Sequence, residues 1–312
     1  MERLETDGFG GPEAVQSAFT LPEPQTDDGV VRVTAASINP LDWKIRNGDM
    51  KMLIGSKFPR AMGTDFAGTV GAVGSKVSDL LSADAVVGTV PMKSSGAFAS
   101  RLIAPRELLV KKPDKLSFAE AASLPVAGLT AWLVPGKHAG FRRGQKLFVN
   151  GATGAVGHAA IAIAREIGAE VTGRGEPRSI AQAQSLGLSP AIDDTKPLPS
   201  TLDGVFDVVF DANGVLAIRA RDRLIERGGK VFDIAPTTRK FSKALVSRSR
   251  KVVIANMKAE NLQPVVDLAA ADKLAISVVR TVSLAQASAL LASLEQGKRL
   301  NGKAVIAFSV GR

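Results

Sequence analysis

The stretch VNGATGAVGHAA places three glycines, Gly151, Gly154 and Gly157, at intervals of three residues between an apolar segment and an alanine-rich segment. Glycine permits a tight turn, a close approach of the backbone to a ligand, and close packing of a helix on a strand. Where a strand passes into a helix, free backbone N–H groups and the helix dipole favour a phosphate. An ordinary turn is the alternative interpretation. The spacing and its context predict a loop that binds the pyrophosphate of a dinucleotide.

Two arginines near the end of the next predicted strand bear on which dinucleotide binds. The segment AEVTGR is interpreted as that strand, ending in Thr172, Gly173 and Arg174, with Arg178 four residues further on. An NAD site commonly has an acid at this strand end, which binds the ribose diol. An arginine fork instead matches the oxygens of a 2′-phosphate, although both arginines are also compatible with solvated surface positions. Because the strand end lacks an acid, the sequence favours NADPH over NADH, with Glu176 as an unfavourable neighbour for a phosphate.

Asn39 and Asp42, in the segment INPLDWK, are of residue types that suit carbonyl and proton chemistry. An asparagine amide can hydrogen-bond a carbonyl oxygen as negative charge develops on it, and an aspartate can relay a proton. Asn39 is also compatible with a turn, and Asp42 with a turn cap or an ion pair with Lys44. His138 and His158 lack the spacing of metal ligands and are interpreted as structural. Because the chain has no tyrosine and no cysteine, water is the expected proton source, which predicts a shallow pH dependence of the rate between about pH 6 and pH 8.

The composition excludes several classes of protein. The 312 residues are 45% hydrophobic and 22% charged, which is typical of a soluble globular chain. Without cysteine the chain has no disulfides, thiolate catalysis or thiolate metal ligands. No run approaches the about 20 apolar residues of a membrane-spanning helix, and the N-terminus lacks the apolar segment of a secretory signal. A cytoplasmic protein with no membrane partner is expected.

The net charge of +10 is concentrated in one span. Seven basic residues and no acid lie between Pro236 and Lys258. Nucleic-acid binding is one explanation for such a cluster. A solvated helix face near an anionic cofactor is the favoured explanation, because the span lacks the several interleaved aromatic residues that stack on bases. No nucleic-acid partner is therefore expected.

The elements that position these residues follow from hydrophobic periodicity. Up to about Lys115 the chain predicts short strands such as GVVRVTAASI and DFAGTVGAVG, punctuated by glycine and proline. A helix is predicted from Ser117, with Glu120 completing a capping box. Strands and helices then alternate, with strands at KLFVNG, AEVTGR, FDVVFDANG, GKVFDIAP and KVVIANM, before a capped helix and a last strand. This alternation predicts a parallel sheet wound on both faces.

Five segments in the same order resemble the zinc-independent quinone oxidoreductases of the medium-chain dehydrogenase/reductase superfamily: AASINPLDWKIRNG, MGTDFAGTVGAVG, GAFASRLIAPRELLVKKPDKLSFAEAASLPVAGLTAW, VNGATGAVGHAAIAIAREIGAEV and GKAVIAF. The resemblance covers nearly the whole chain. It implies an α/β fold with a Rossmann doubly wound parallel sheet and a GroES-like β-barrel catalytic domain. The catalytic domain is expected over residues 1–117 and 277–312, and the Rossmann domain over residues 118–276.

The resemblance also implies site residues. Asn39 and Asp42 belong to a motif that faces the nicotinamide in relatives. Together with the residue-based candidates, the cofactor-binding positions are Thr130, Gly151, Ala152, Thr153, Gly154, Ala155, Val156, Gly157, Gly173, Arg174, Arg178, Asn213, Ala235, Pro236 and Lys303. Relatives carry a small hydroxyl residue where Glu176 stands, and SDLLSADAVVG replaces their usual glycine-aspartate turn.

Zinc-dependent relatives place a cysteine at the position of Asn39, and a histidine and a glutamate at the positions of Thr64 and Asp65, so no zinc or other metal is implied here. The resemblance implies a homodimer formed by the edge strand KVVIANM. It implies hydride transfer from NADPH to a quinone or an α,β-unsaturated carbonyl compound. A zinc-free alcohol or aldehyde dehydrogenase is an alternative, although it would lack a Lewis acid for an unactivated carbonyl. A nucleotide-binding protein with little turnover is a further alternative.

Overall fold

The computed structural model of the chain describes most of its residues, in the ranges 2–18, 25–138, 140–185, 191–234, 250–252 and 256–308. The chain divides into two compact units. The first unit comprises Met1–Val126, Met257–Ala270 and Ile276–Arg312. The second unit comprises Ala127–Asn256 and Ala271–Ala275.

The elements of the described residues are numbered in chain order. The strands are β1 Arg3–Thr6, β2 Val15–Ala18, β3 Asp28–Ser37, β4 Arg60–Ala61, β5 Asp65–Val73, β6 Ala85–Thr89, β7 Arg101–Pro105, β8 Leu109–Lys111, β9 Lys146–Asn150, β10 Glu170–Gly175, β11 Ala191–Asp193, β12 Phe206–Asp211, β13 Ile225–Asp233, β14 Arg250–Val252, β15 Val278–Val282 and β16 Lys303–Ala307. The helices are α1 Pro40–Asn47, α2 Lys51–Ile54, α3 Phe118–Ser123, α4 Pro125–Trp132, α5 Ala155–Glu166, α6 Pro177–Ser185, α7 Ile218–Leu224, α8 Ala259–Ala270 and α9 Leu284–Glu295.

The first unit is built on a seven-stranded sheet in the order β15-β16-β3-β5-β6-β8, with β7 paired to β3. A three-stranded sheet, β2-β1-β4, accompanies it. Along β3 the alternating residues Val31 and Val33 are buried, which is the pattern of a strand with one face in a core. These valines pack with Phe66, Phe98 and other apolar side chains. The short strands predicted for this region are confirmed.

Three strand ends meet at one edge of the large sheet. β3 runs antiparallel to both β5 and β16, and its last residue, Ser37, pairs with Asp65 at the start of β5 and with Val305 in the middle of β16. The chain then enters α1 at Pro40. This register brings residues just after β3 next to the first residues of β5 and β16, including Lys303.

The second unit contains a parallel six-stranded sheet in the order β11-β10-β9-β12-β13-β14. Numbered from its own first strand, β9, this order is 3-2-1-4-5-6, the order of the dinucleotide-binding Rossmann fold. The order reverses direction at β9, and the right-handed crossovers that are general in such sheets would put helices on both faces. The predicted fold class is confirmed. β14 is the last strand of this order, as expected for the segment KVVIANM.

Two local features differ from the sequence expectation. The helix predicted from Ser117 has its capping box with Glu120, but it is divided, because Pro125 lacks the N–H that a continuous helix requires. Strand β10 extends one residue beyond Arg174 to Gly175. Glu176 is therefore the first residue after the strand, so an acid does stand at this strand end.

Candidate active site

Five polar side chains form a buried cluster, which we call the lysine–aspartate cluster, at the edge of the large sheet of the first unit. Its members are at most 6% exposed: Asn39, Asp42, Thr64, Asp65 and Lys303. Asn39 and Asp42 are the N-cap and third residue of α1, Asp65 begins β5, and Lys303 begins β16. The starts of two strands and of one helix thus supply the cluster.

Asn39 links the other members of the cluster. Its Nδ2 donates to Asp65 Oδ2 at 3.0 Å and to the carbonyl of Ser37 at 3.3 Å. Its Oδ1 accepts a hydrogen bond from Lys303 Nζ, which also donates to the carbonyl of Ile38 at 3.3 Å. The Asn39 amide is engaged with protein groups on both sides. Its contacts suit the positioning of Lys303 better than direct contact with a substrate.

Asp42 is held by a capping box and by a hydroxyl. The backbone N–H of Asn39 donates to Asp42 Oδ2 at 2.7 Å, and Thr64 Oγ1 donates to Asp42 Oδ1 at 3.1 Å. The capping-box interpretation of this residue was open from sequence alone, and the structure contains the box. The box and the Thr64 hydroxyl fix the carboxyl group beside Asn39.

Asp65 accepts hydrogen bonds from residues at the starts of two different helices. Besides Asn39, the backbone N–H of Val126 donates to its Oδ2 at 3.0 Å. Val126 lies in the first turn of α4, where N–H groups have no partner within the helix. Within the described part of the chain, Asp65 Oδ1 is buried without a hydrogen-bond partner. The break at Pro125 therefore supplies a donor to the cluster, while one carboxylate oxygen is left unsatisfied.

Burial shifts the protonation equilibria of the cluster. Desolvation, assisted by the Asp65 charge, raises the pKa of Asp42 to about 7, against the lowering effects of the Asn39 N–H, Lys303 and Thr64. Desolvation also raises the pKa of Asp65 to about 6, opposed by Lys303. The pKa of Lys303 is lowered by desolvation and partly restored by the two aspartates. Two acids and one base share a buried site, so the cluster holds an exchangeable proton near neutral pH.

The structure brings together three of the residues predicted from the sequence, Asn39, Asp42 and Lys303. Thr64 and Asp65 were not among the predicted site residues. The signal that would have found them was present, because they occupy the two positions where zinc-dependent relatives carry ligands. A polar pair directly before an apolar strand marks a strand end at which side chains converge.

The glycine loop of the second unit connects β9 to α5. Gly151 has φ +80°, a left-handed conformation that favours glycine, and Gly151 N donates to the carbonyl of Arg174 at 2.8 Å. A Cβ at Gly157 would stand 2.2 Å from the carbonyl oxygen of Gly151, so this position must be glycine for the helix to pack against the loop. A Cβ at Gly154 would meet only that same oxygen, at 3.4 Å, which is an ordinary contact. The protein's own packing therefore does not require glycine at 154.

The loop fits a dinucleotide pyrophosphate. α5 begins at Ala155, and its N-cap, Gly154, has no side chain to satisfy the free N–H groups of the first turn. Thr153, Ala155 and Val156 complete the loop and the first turn, and Ala152 is fully buried beneath it. Free amides, the helix dipole and an open N-cap together suit an anionic group.

A polar network underlies the loop at the carboxyl ends of β9 and β12. Asn150 Nδ2 donates to Asp211 Oδ1 at 2.9 Å and to Asn213 Oδ1 at 2.7 Å. Arg174 Nη1 donates to Asn150 Oδ1 at 3.2 Å, and Arg174 Nη2 donates to the carbonyl of Asp194 at 2.6 Å. Asn213, which follows β12, thus lies beside the loop, and the Arg174 guanidinium is bound to protein groups.

The remaining predicted cofactor residues are placed as follows. Gly173 lies inside β10, paired with β9 and β11 rather than at the strand end. Arg178 lies in the first turn of α6 and pairs with Glu176. Thr130 is buried on α4. Ala235 and Pro236, like most of the basic span up to Lys258, lie outside the described residues.

The described residues contain neither a cluster of metal-ligating side chains nor a membrane-spanning helix. Within these residues, no group of three or more His, Cys, Asp or Glu side chains is arranged to hold a metal ion. Among the helices of the same part of the chain, none is both long enough and apolar enough to cross a membrane. His158 is half-buried, and desolvation lowers its pKa, as expected for a structural histidine.

Two family profiles match the chain. The alcohol dehydrogenase GroES-like domain matches residues 25–114, and the profile described as zinc-binding dehydrogenase matches residues 186–306. The first match covers the segment that contributes Asn39, Asp42, Thr64 and Asp65, and the second reaches Lys303.

Known proteins resemble the chain over most of its length. It is 35% identical over 286 residues to the chloroplast envelope quinone oxidoreductase homolog of Arabidopsis thaliana, covering 86% of this chain and 87% of that protein. It is 34% identical over 235 residues to the chloroplastic NADPH-dependent alkenal/one oxidoreductase of the same plant, covering 72% and 59% respectively. The solved structure of the quinone oxidoreductase from Coxiella burnetii matches with a TM-score of 0.88 at 28% identity, covering 99% of each chain.

Proposed function

The chain belongs to the quinone oxidoreductase family of the medium-chain dehydrogenase/reductase superfamily, and from that membership we propose that it is an NADPH-dependent reductase of quinones or α,β-unsaturated carbonyl compounds. The relatives named quinone oxidoreductase and alkenal/one oxidoreductase support this pair of substrate classes. Membership of the family itself indicates an oxidoreductase that uses a nicotinamide cofactor.

The glycine loop is the observation that carries the proposal. Gly151 and Gly157 are required by the protein's own geometry, but Gly154 stands at an open, uncapped helix start where only a ligand would demand glycine. The loop residues 151–157 would hold the pyrophosphate, with Asn150 and Asn213 supporting the loop from below. A nicotinamide cofactor bound there supplies the hydride.

The lysine–aspartate cluster supplies the charge for the reaction in this proposal. Within the described part of the chain, two N–H groups of Lys303 donate to the carbonyl of Ile38 and to Oδ1 of Asn39. The third N–H would donate to a substrate oxygen. An ammonium aimed at an oxygen that becomes negative lowers the barrier without proton transfer. Asn39 and Asp65 position Lys303, and Asp42 holds the exchangeable proton.

Zinc independence is part of the same proposal. Asn39, Thr64 and Asp65 occupy the positions of the zinc ligands in zinc-dependent relatives, yet they hydrogen-bond one another, Asp42 and Lys303. The Lys303 ammonium already provides a positive charge among these groups, so a divalent cation would have to displace it. A quinone or an enone is activated enough to be reduced without a Lewis acid.

A spectrophotometric screen tests the function. NADPH oxidation is followed with about a dozen quinones and enones, with simple aldehydes and ketones as the unactivated comparison. We expect turnover with the quinones and enones alone, and we expect the rate to be unchanged after dialysis against a chelator. Turnover of simple carbonyls that the chelator abolishes would favour an alcohol dehydrogenase, and tight cofactor binding without any turnover would favour a binding protein.

We further propose that the chain forms a homodimer through β14. Arg250–Val252 is the last strand in the order of the parallel sheet, and no other described strand pairs with its second edge, which would pair with a copy of itself. Sedimentation velocity at micromolar concentration should show a species of twice the 32.6 kDa chain mass. A single monomeric species would contradict the dimer and leave the enzymatic proposal intact.

A further inference from the structure

A charged pair stands at the end of the second strand of the Rossmann sheet. Glu176 is the first residue after β10, and Arg178 lies in the first turn of α6. Arg178 Nε donates to Glu176 Oε2 at 2.7 Å, and Arg178 Nη2 donates to Oε1 at 3.1 Å, so the guanidinium and the carboxylate meet as two forks. The side chains are 59% and 28% exposed for Arg178 and Glu176, which leaves the pair accessible to a ligand.

This pair lies beside the glycine loop. The amide of Ala152 donates to the carbonyl of Arg174 at 2.9 Å. A Cβ added at Gly175 would stand 2.7 Å from the side chain of Thr153, so the end of β10 touches the loop directly. Because Glu176 follows Gly175, the Glu176–Arg178 pair stands directly after the strand end that touches the loop. This is where a Rossmann fold recognises the adenosine ribose.

The other basic side chains at this corner also have protein partners. Arg174 Nη2 donates to the carbonyls of Asp194 and Lys196, at 2.6 Å and 3.3 Å. Lys196 forms an ion pair with Asp193, with 3.7 Å between Nζ and Oδ2. The amide of Asp194 donates to the carbonyl of Gly175 at 2.9 Å, so the end of β11 is joined to the end of β10.

Within the described residues, the charges at this corner therefore balance. Segments 172–178 and 191–196 contain equal numbers of acids and bases, Glu176, Asp193 and Asp194 against Arg174, Arg178 and Lys196. A phosphate monoester carries about −1.5 to −2 charges at neutral pH and requires an excess of positive charge. To bind one, Arg178 would have to exchange Glu176 for the phosphate while Glu176 repelled it. A ribose diol makes no such demand, because its hydroxyls donate to a carboxylate.

We propose that Glu176 determines the coenzyme specificity of this site: its carboxylate accepts the ribose diol of NADH and, by pairing with Arg178, weakens the preference for NADPH, so that both coenzymes bind. The inference rests on the proposed function, because it concerns the same dinucleotide site. It revises the sequence expectation of a site that favours NADPH, which was based on the absence of an acid at the strand end.

Direct binding tests the proposal without turnover. NADPH and NADH are titrated separately into the protein in the absence of substrate, with the nicotinamide fluorescence as the readout. For the wild type we expect dissociation constants within about tenfold of each other. Glu176→Gln should bind NADPH about 5- to 20-fold more tightly and NADH several-fold more weakly, the scale of one charge-assisted hydrogen bond. Glu170→Gln, the same change at the opposite end of β10, is the matched control and should leave the ratio unchanged.

Substitution of Arg178 gives a second test of the proposal. Arg178→Ala should weaken NADPH about tenfold and leave NADH within about twofold. In the double variant, Glu176→Gln should no longer improve NADPH binding, because its benefit acts through the released Arg178. A wild-type preference for NADPH above about 100-fold, or equal effects of Glu176→Gln on both coenzymes, would overturn the specificity proposal alone. Failure of the wild type to bind either coenzyme would overturn the proposed function as well.

Discussion

At the scale of single residues, the proposed reaction depends on a buried ammonium that is held by an amide. Lys303 donates a hydrogen bond to Asn39, and Asn39 donates one to Asp65. A substitution at any one of these residues therefore alters the hydrogen bonds of the others. The sequence pointed to Asn39 as the residue that would contact a substrate oxygen. In our proposal Lys303 contacts the substrate oxygen instead, because both ends of the Asn39 amide already have protein partners.

Replacing Lys303 with methionine removes the charge and keeps most of the volume. We expect kcat for a quinone to fall about 100-fold, the usual loss when a group that stabilises a developing negative charge is removed. The two aspartates can take up protons in this variant, so the fold should persist. Stopped-flow kinetics measures the loss, and fluorescence titration measures cofactor binding beside it. Lys303→Arg, which keeps the charge, is the control, and an unchanged kcat in Lys303→Met would exclude the proposed role.

The raised pKa of Asp42 predicts a specific dependence of stability on pH. Its ordinary pKa is 3.8 and its folded pKa is about 7, so between these values the folded state binds more protons than the unfolded state. The free energy of unfolding therefore decreases as the pH rises through this window. Asp65, with a pKa of about 6, acts in the same direction, whereas the lowered pKa of Lys303 acts in the opposite direction at alkaline pH.

Asp42→Asn removes this contribution. Relative to the wild type, its free energy of unfolding should improve by about 1–4 kcal/mol between pH 4.5 and pH 8, on top of a constant offset from the altered capping box. Urea unfolding of both proteins at four or five pH values gives the difference. Parallel stability curves would show that Asp42 ionises normally in the fold. A rate that titrates near pH 7 would, in addition, replace the shallow profile expected from the sequence.

At the scale of elements, α1 is fixed by a buried arginine. Arg46 is 2% exposed and donates to the carbonyl of Gly10 at 3.2 Å, to Asn47 and to Glu295 at the end of α9. α1 also carries Asn39 and Asp42 at its start, so its attachment to α9 supports the lysine–aspartate cluster. The pair joins residues that are 249 positions apart in the chain.

Glu295→Ala should therefore cost about 2–3 kcal/mol of stability, because it leaves a buried guanidinium without its carboxylate. Asp79→Ala is the matched comparison. Asp79 also accepts a fork from an arginine, Arg106, but it is 61% exposed, so its loss should cost less than about 1 kcal/mol. Chemical unfolding of the two variants gives both values. Equal losses would mean that burial of Arg46 does not strengthen its ion pair.

At the scale of the whole molecule, local patterns predicted elements better than they predicted contacts. The period of the apolar residues and the glycines indicated β9, the loop and α5 in the correct order, because that signal lies within one short segment. The lysine–aspartate cluster could not be assembled in this way, since Asn39 lies 26 residues from Asp65 and 264 from Lys303. Only the register of β3 with β5 and β16 joins them.

The end of β10 shows how much depends on a single residue of register. A strand ending at Arg174 has no acid, whereas a strand ending at Gly175 is followed at once by Glu176. The extra residue pairs with Asp193 of β11, a contact between segments that no local pattern displays. The expected coenzyme preference changes with that pairing, although the predicted fold does not.

The central claim, that residues 151–157 bind the pyrophosphate, is tested most directly by a substitution at Gly154. Gly154→Val places its side chain in the open space at the start of α5, and Gly8→Val, at a glycine with nothing within 4 Å, is the control. Calorimetric titration with NADPH, after circular dichroism has shown that both variants are folded, measures the dissociation constants. We predict that Gly154→Val loses at least about 100-fold in affinity, while Gly8→Val binds like the wild type. A folded Gly154→Val protein with wild-type affinity would contradict the account.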